Sequence, residues 1–119
     1  MADNKRQLGK EKEELACKYL QEQGYNIVTT NFFSQAGEID IVAGDGKYLC
    51  FIEVKYRMGS MSGAAAEAVS AAKQRSICRT SDFYRARYRI PEDRPIRYDV
   101  VAIDKDEIRL IKNAFDYTR

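Results

Sequence analysis

The sequence predicts an α/β fold, a mixed five-stranded sheet flanked by helices, and three observations carry that prediction. An amphipathic stretch over about residues 4–23 has helical spacing. A two-residue alternation runs through 37–43 and returns after a turn in 48–56. The elements then follow as helix, three strands, helix, two strands, an order that suggests a mixed sheet with helices packed on it. The chain has 119 residues, 45% of them hydrophobic, enough to bury a core, so 1–119 is expected to form one domain.

The first helix is expected from Asn4, which can cap it, to Gln23, with Gly24 as its stop. Leu8, Leu15, Ala16, Tyr19 and Leu20 fall on one stripe, and Glu14 points away from it. Glu13 sits at the stripe's edge, where an acid can border a cleft. Lys12 falls near its middle, where its stem can snorkel along the core. Residues 25–33, rich in β-branched and aromatic side chains, read as the first strand. In 37–43, Ile39, Ile41 and Ala43 share one face and Glu38, Asp40 and Val42 the other; in 48–56, Leu49, Phe51, Glu53 and Lys55 share a face.

Gly44-Asp45-Gly46-Lys47 between these strands is a hairpin signal. A two-residue Asp45-Gly46 turn puts Glu38 opposite Glu53, with Asp40 one diagonal step away. A slip of two residues puts Asp40 opposite Glu53. Either register projects Asp40, Glu53 and Lys55 from one face, within ~5–8 Å of one another. A loop rich in Gly, Ser and Met follows at 58–63. A second helix is expected from about Ser62 to Arg87, with Val69, Ser76, Ile77, Thr80 and Tyr84 as its inner stripe and Lys73 pointing inward. Pro91 and Pro95 bracket a turn. Residues 96–103 and 107–111 read as the last two strands, and 113–119 as a tail or short helix.

Composition narrows the chemistry. Without histidine, Ser-His and Cys-His catalysis and the usual zinc sites with His ligands are excluded. Cys17, Cys50 and Cys78 have neither metal-ligand nor disulfide spacing and read as core filler. Hydrolysis here would rely on carboxylates, lysine and a hard cation such as Mg²⁺. No apolar run is long enough to span a bilayer and the start of the chain lacks a secretory pattern, so no membrane association and a cytoplasmic location are expected. The net charge of +2 is uneven: residues 73–97 hold eight Lys/Arg against three acids, with Tyr84 and Tyr88 among them, a mixture suited to phosphates and bases. A solvated helix face would give the same pattern.

Acid-x-Lys is a weak signal, since Asp3-Asn4-Lys5 and Asp45-Gly46-Lys47 match it as well as Glu53-Val54-Lys55. The last differs in lying inside an apolar strand, where charge is costly unless paired or used; Asp40 has the same anomaly. A half-exposed sheet with salt-bridged charges on its wet face would also account for these residues.

Further residues add a resemblance. Gly9-Lys10-Glu11-Lys12-Glu13-Glu14-Leu15-Ala16, Gly37-Glu38-Ile39-Asp40-Ile41-Val42-Ala43, Phe51-Ile52-Glu53-Val54-Lys55-Tyr56-Arg57, Lys73-Gln74 and Arg97-Tyr98-Asp99-Val100-Val101 resemble the YraN family, a bacterial family of predicted endonucleases. The family is assigned to the PD-(D/E)XK superfamily, so the resemblance implies a restriction-endonuclease-like fold close to that of Holliday-junction resolvases. It implies Mg²⁺ or Mn²⁺ held by Asp40, Glu53 and the Val54 carbonyl, Lys55 orienting water, and Glu13 serving a second cation or a metal-bound water. Catalytic roles thus fall on Glu13, Asp40, Glu53 and Lys55. Gln74 matches a supporting polar position, and Arg57, Lys73, Gln74, Arg75 and Arg79 are the expected nucleic-acid contacts. Lys12 departs from the family pattern, which has a small residue there, and the 58–63 loop is less basic than the family leads one to expect. The implied partner is DNA, branched forms included, with RNA also open and a homodimer plausible on symmetry grounds. A nucleic-acid-binding module that does not cut, or a protein-interaction adaptor, are the competing functions.

Overall fold

The computed structural model describes residues 2–57, 69–105 and 107–119, and the side chains of 7–56, 69–105 and 107–119. In chain order the elements are α1 (Ala2–Glu22), β1 (Asn26–Ser34), β2 (Gly37–Asp45), β3 (Tyr48–Arg57), α2 (Ala71–Arg87), β4 (Ile96–Asp104) and β5 (Glu107–Phe115). The fold is the mixed α/β architecture the sequence predicts: an open five-stranded sheet in the order β1-β2-β3-β4-β5 with two helices. β3 and β4 are parallel and the other neighbours antiparallel.

Each face of the sheet carries a helix and a core. On one face Ala16 and Leu20 of α1 pack with Tyr25, Ile41, Ala43, Cys50, Ile52, Val101 and Ile103. On the other, Ile77, Cys78 and Tyr84 of α2 pack with Ile39, Val42, Leu49, Phe51 and Tyr98. β4 is sealed between them, which is why 98–103 is buried throughout rather than alternating. Cys50 and Cys78 are core residues, and Cys17 packs at the core's edge.

The helix ends follow local chemistry. Gly24, at φ +95°, closes α1: its N–H donates to the Gln21 carbonyl and that of Tyr25 to the Leu20 carbonyl, the paired bonds of a Schellman cap. Arg89, at φ +52°, closes α2 in the same way, with bonds to Ala86 and Arg85. Ser70 opens α2, its hydroxyl accepting from the Lys73 N–H at 3.1 Å.

Several expectations are corrected. α1 begins at Ala2, so Asn4 lies within the helix, and Leu15 is exposed because the buried stripe narrows to Ala16 and Leu20. α2 does not run unbroken from Ser62: Val69 and Ser70 are non-helical, and the cap sets its start at Ala71. The 58–63 loop lies outside the described residues. β5 continues to Phe115, so 113–115 is strand; Asn113 takes φ +54° where the β4–β5 register shifts.

The β2–β3 register is the two-residue slip. Asp45 pairs with Tyr48 and Ile41 with Ile52, so the turn is Gly46-Lys47. The ladder ends at Ile41–Ile52. Beyond that point β2 stays with β1, Ile39 opposite Phe32 and Glu38 opposite Phe33, whereas β3 continues beside β4 from Glu53 to Arg57. The sheet therefore forks between β2 and β3 at Asp40. Strict alternation fails there too: Ile39 joins the α2-side core and Ile41 the α1-side core, so these two do not share a face as expected. The turn before β2 is held on α2, which draws this end of β2 aside. Ser76 Oγ donates to the Ala36 carbonyl at 2.8 Å, and Gly37, at φ +147°, lies so close to Ser76 Oγ that a Cβ would collide with it.

Candidate functional site

The fork places a carboxylate where a strand partner would be. With the ladder ended, the Val54 N–H has no β2 carbonyl to meet, and it donates instead to Asp40 Oδ2 at 2.8 Å. In an extended strand a residue's N–H and C=O point to the same side, so the Val54 carbonyl also looks into the fork. Glu53 brings a second carboxylate, only 11% exposed, onto Asp40. Burial, then the Glu53 carboxyl, push Asp40 up to about 7, against the opposing pull of the Val54 N–H and, more weakly, Lys73. Two carboxyl groups in hydrogen-bond contact require a proton or a cation between them.

The surrounding groups come from five elements. Lys73, in the first turn of α2, reaches Glu53 Oε2 at 3.7 Å while remaining 44% exposed, so the inward direction read from the helical stripe is realised at the helix end. Glu38 hydrogen-bonds Asp40, and its carboxyl is raised by burial and by that neighbour. Glu13 of α1 hydrogen-bonds Asn31 of β1; burial raises its pKa most, that bond opposes the rise, and Asp40 and Glu38 add to it. Lys55 follows Glu53 by two residues on β3, half-buried and on the same face by strand alternation. Thus Asp40, Glu53 and Val54 converge, Lys73 pairs with Glu53, and Glu13 approaches from the helix.

Glu38 and Asn31 were not among the sequence's candidates. Glu38 was legible in the Gly-Glu-Ile-Asp run as a second acid, and Asn31 shows only through its backbone: at φ +55° it occupies the left-handed region that asparagine tolerates better than most residues. Glu13 and Asn31 also open onto a cavity of about 270 Å³ between α1 and β1, lined in addition by Lys10, Cys17, Lys18 and Thr30.

The expected nucleic-acid contacts separate into two groups. Arg75 and Arg79 are exposed on α2 beyond Lys73. Gln74 donates its side-chain amide to the Val69 carbonyl at 2.9 Å and so fastens the entry to α2. The Arg57 side chain lies outside the described residues. Further along the basic stretch, Arg94 Nε donates to the Lys47 carbonyl, and Arg97 is a structural cation. It grips Asp99 through Nε and a terminal nitrogen, both at 2.9 Å, bonds Asp45 at 2.7 Å, and lies over the Tyr48 ring. The expectation that 73–97 acts as a continuous phosphate grip is therefore corrected at Arg97, whose side chain is only 10% exposed.

Asp99 provides an internal comparison. Like Asp40, it accepts a backbone N–H from fourteen residues further along the chain, here Asn113 at 2.8 Å, and it is fully buried. Asp99 is also bonded by the Arg97 guanidinium and the Tyr25 hydroxyl. Asp40 faces two other carboxyl groups. Among the described residues no three acidic or cysteine side chains are arranged as a ready cation cage. A cation in the fork would have the Asp40 and Glu53 carboxylates, the Val54 carbonyl and otherwise water, a donor set that suits Mg²⁺, which keeps several waters.

Comparison with known proteins gives the family. Residues 12–103 match the Uncharacterised protein family UPF0102, and the chain is 50% identical over 113 residues to a UPF0102 protein of Lachnoclostridium phytofermentans, covering 95% of this chain and 96% of that one. The chain belongs to UPF0102. Other relatives are a UPF0102 protein of Symbiobacterium thermophilum, 42% identical over 92% of this chain and 97% of its own length, and one of Legionella pneumophila, 39% identical over 91% and 93%. The UPF0102 match spans α1 from residue 12 through β4, and so includes every element that supplies the fork. No described helix is long and apolar enough to cross a membrane.

Proposed function

We propose that this protein is a metal-dependent nuclease that hydrolyses phosphodiester bonds, with its site in the fork between β2 and β3. One observation carries the proposal: Asp40 is fixed by the Val54 N–H against the carboxyl of Glu53, in a gap where its charge is under-compensated. A purely structural aspartate in this same sheet, Asp99, is instead matched by an arginine. Asp40, Glu53 and the Val54 carbonyl are the donors for Mg²⁺ or Mn²⁺, which when bound supplies Lewis-acid polarisation of the phosphate and a more acidic water.

The chain's own residues do the rest. Asp40 and Glu53 bring two carboxyl groups to one place, where a cation would favour their ionised forms. Lys55 and Lys73 bring cationic groups beside it that favour the charge developing on a phosphate oxygen. Glu13 and Glu38 hold waters or a second cation on the α1 side. Arg75 and Arg79, exposed on α2 next to Lys73, suit the backbone of DNA or RNA and carry no sequence preference of their own.

The test is cleavage of labelled duplex, branched and single-stranded DNA, and of RNA, with Mg²⁺ or Mn²⁺, wild type beside Lys55→Ala and Asp40→Asn. Metal-dependent cutting that both variants lose supports the nuclease. Binding without cutting by the wild type points to a nucleic-acid-binding module, and neither binding nor cutting overturns the proposal.

A further inference from the structure

Phe33 is the most exposed of the large apolar side chains described, at 68% of its surface, and it stands next to the fork. It pairs across the strands with Glu38, whose carboxyl bonds Asp40. Its direction follows from its neighbours. Phe32 packs edge-on against Tyr84 of α2, so Phe33 points to the α1 face, where Asn31, two residues earlier, meets Glu13. A bare phenyl ring thus stands beside Glu38, at the α1-side margin of the fork, on the strand at the sheet's edge.

Two uses compete for such a ring: strand-to-strand association of two copies through β1, or a flat ligand stacked upon it. The strand itself disfavours the first. Its register shifts between Ile27 and Thr29, and Asn31 takes φ +55°, so the outer edge of β1 is twice interrupted; irregularities of this kind discourage strand addition. Stacking needs only the ring, and every nucleobase offers a π-face. In a continuous duplex that face is covered by neighbouring bases, whereas in a flap, a gap or an unpaired segment at a branch it is open.

We propose that Phe33 is the specificity-determining residue of the site, stacking on an unpaired base next to the scissile phosphate and so favouring single-stranded or branched nucleic acid over continuous duplex. This rests on the nucleic-acid reading of the site but not on turnover, so binding tests it separately.

The chain has no tryptophan, so Phe33→Trp installs a single indole reporter at the position. In an Asp40→Asn background, single-stranded oligonucleotide and matched duplex are titrated against proteins carrying Phe33, Phe33→Ala, Phe33→Leu and Phe33→Trp, with Val28→Ala as an exposed control further along β1. The expected result is about tenfold weaker single-strand binding for Phe33→Ala and Phe33→Leu with duplex binding unchanged, no effect of Val28→Ala, and retention by Phe33→Trp with indole fluorescence quenched by the single strand but not by the duplex. With Asp40 intact, Phe33→Ala should raise KM for branched substrate more than it lowers kcat. Equal loss on both substrates, full rescue by leucine, or conversion of a dimer to a monomer by Phe33→Ala overturns the stacking role. Absence of any nucleic-acid binding by the wild type removes this proposal together with the nuclease, whereas binding without cutting removes the nuclease alone.

Discussion

Asp40 illustrates how a residue can be built against stability. Its carboxyl, ordinarily at 3.8, is pushed up to about 7 in the folded chain. Below its ordinary value it is neutral whether folded or unfolded. Between there and about 7 the unfolded chain has released a proton that the folded chain retains, so stability falls as pH rises, and above about 7 the loss is complete. Asp40→Asn keeps an oxygen for the Val54 N–H and removes the charge. It should therefore stabilise the protein by about 1–3 kcal/mol around pH 8 and change little around pH 4, as read by denaturant midpoints at the two pH values. In the same measurement, millimolar Mg²⁺ should raise the midpoint of the wild type and leave that of Asp40→Asn unmoved, because only the wild type presents the paired charge. Removing the Asp99 carboxylate should instead destabilise the fold. Asp99→Ala leaves the Asn113 N–H without its acceptor and the Arg97 guanidinium with Asp45 as its remaining carboxylate, a loss of about 1–3 kcal/mol in thermal or chemical unfolding.

At the scale of elements, the fork depends on how the β1–β2 turn is fastened to α2. Ser76 holds the Ala36 carbonyl, Ser34 Oγ donates to Thr80 Oγ1, and Gly37 leaves room for Ser76 where no side chain fits. Gly37→Ala should cost about 1–3 kcal/mol through that collision and a positive φ, and should lower metal affinity by displacing β2, measurable by titration calorimetry with Mn²⁺. Ser76→Ala in the Gly37→Ala background should return part of the stability by clearing the contact. At the other end of the α2 entry, Ser70→Ala removes the cap on the Lys73 N–H and should cost about 1 kcal/mol.

For the whole molecule, the two ends of the sheet treat charge in opposite ways. At the β2–β3 turn, Asp45 is held below its usual range first by Arg97 and also by Lys112, so acid and base are closely matched. At the fork, acids gather, and the carboxyls of Asp40, Glu38 and Glu13 are raised. Arg75 and Arg79 supply positive charge beside the fork, so their double alanine variant should reduce the salt dependence of DNA binding by a slope of about 1–2 in a log–log plot of affinity against salt.

Element types were legible in the sequence because periodicity reports burial, as the Ala16–Leu20 stripe and the continuous run of β4 show. The acid-x-Lys strand was legible because charge within an apolar run is anomalous. Three matters were not. The hairpin register remained open because both turns satisfy the same local chemistry. The fork was hidden because it depends on contacts between α2 and the turn at Ala36, forty residues from Ser76. The role of Arg97 was hidden because a cation's partner, here Asp45 across the sheet, is set by tertiary position.

The bond from the Val54 amide to Asp40 has one further consequence. A main-chain proton normally reports on another main-chain group, but this one reports on a side chain that titrates near neutrality. In a ¹⁵N–¹H correlation spectrum the Val54 cross-peak should move downfield as the carboxyl loses its proton, tracing the ionisation of Asp40 directly. It should move again when a divalent cation draws on the same carboxylate, and in Asp40→Asn it should stay still through both titrations. The fork thus carries its own spectroscopic probe, readable before any substrate is known.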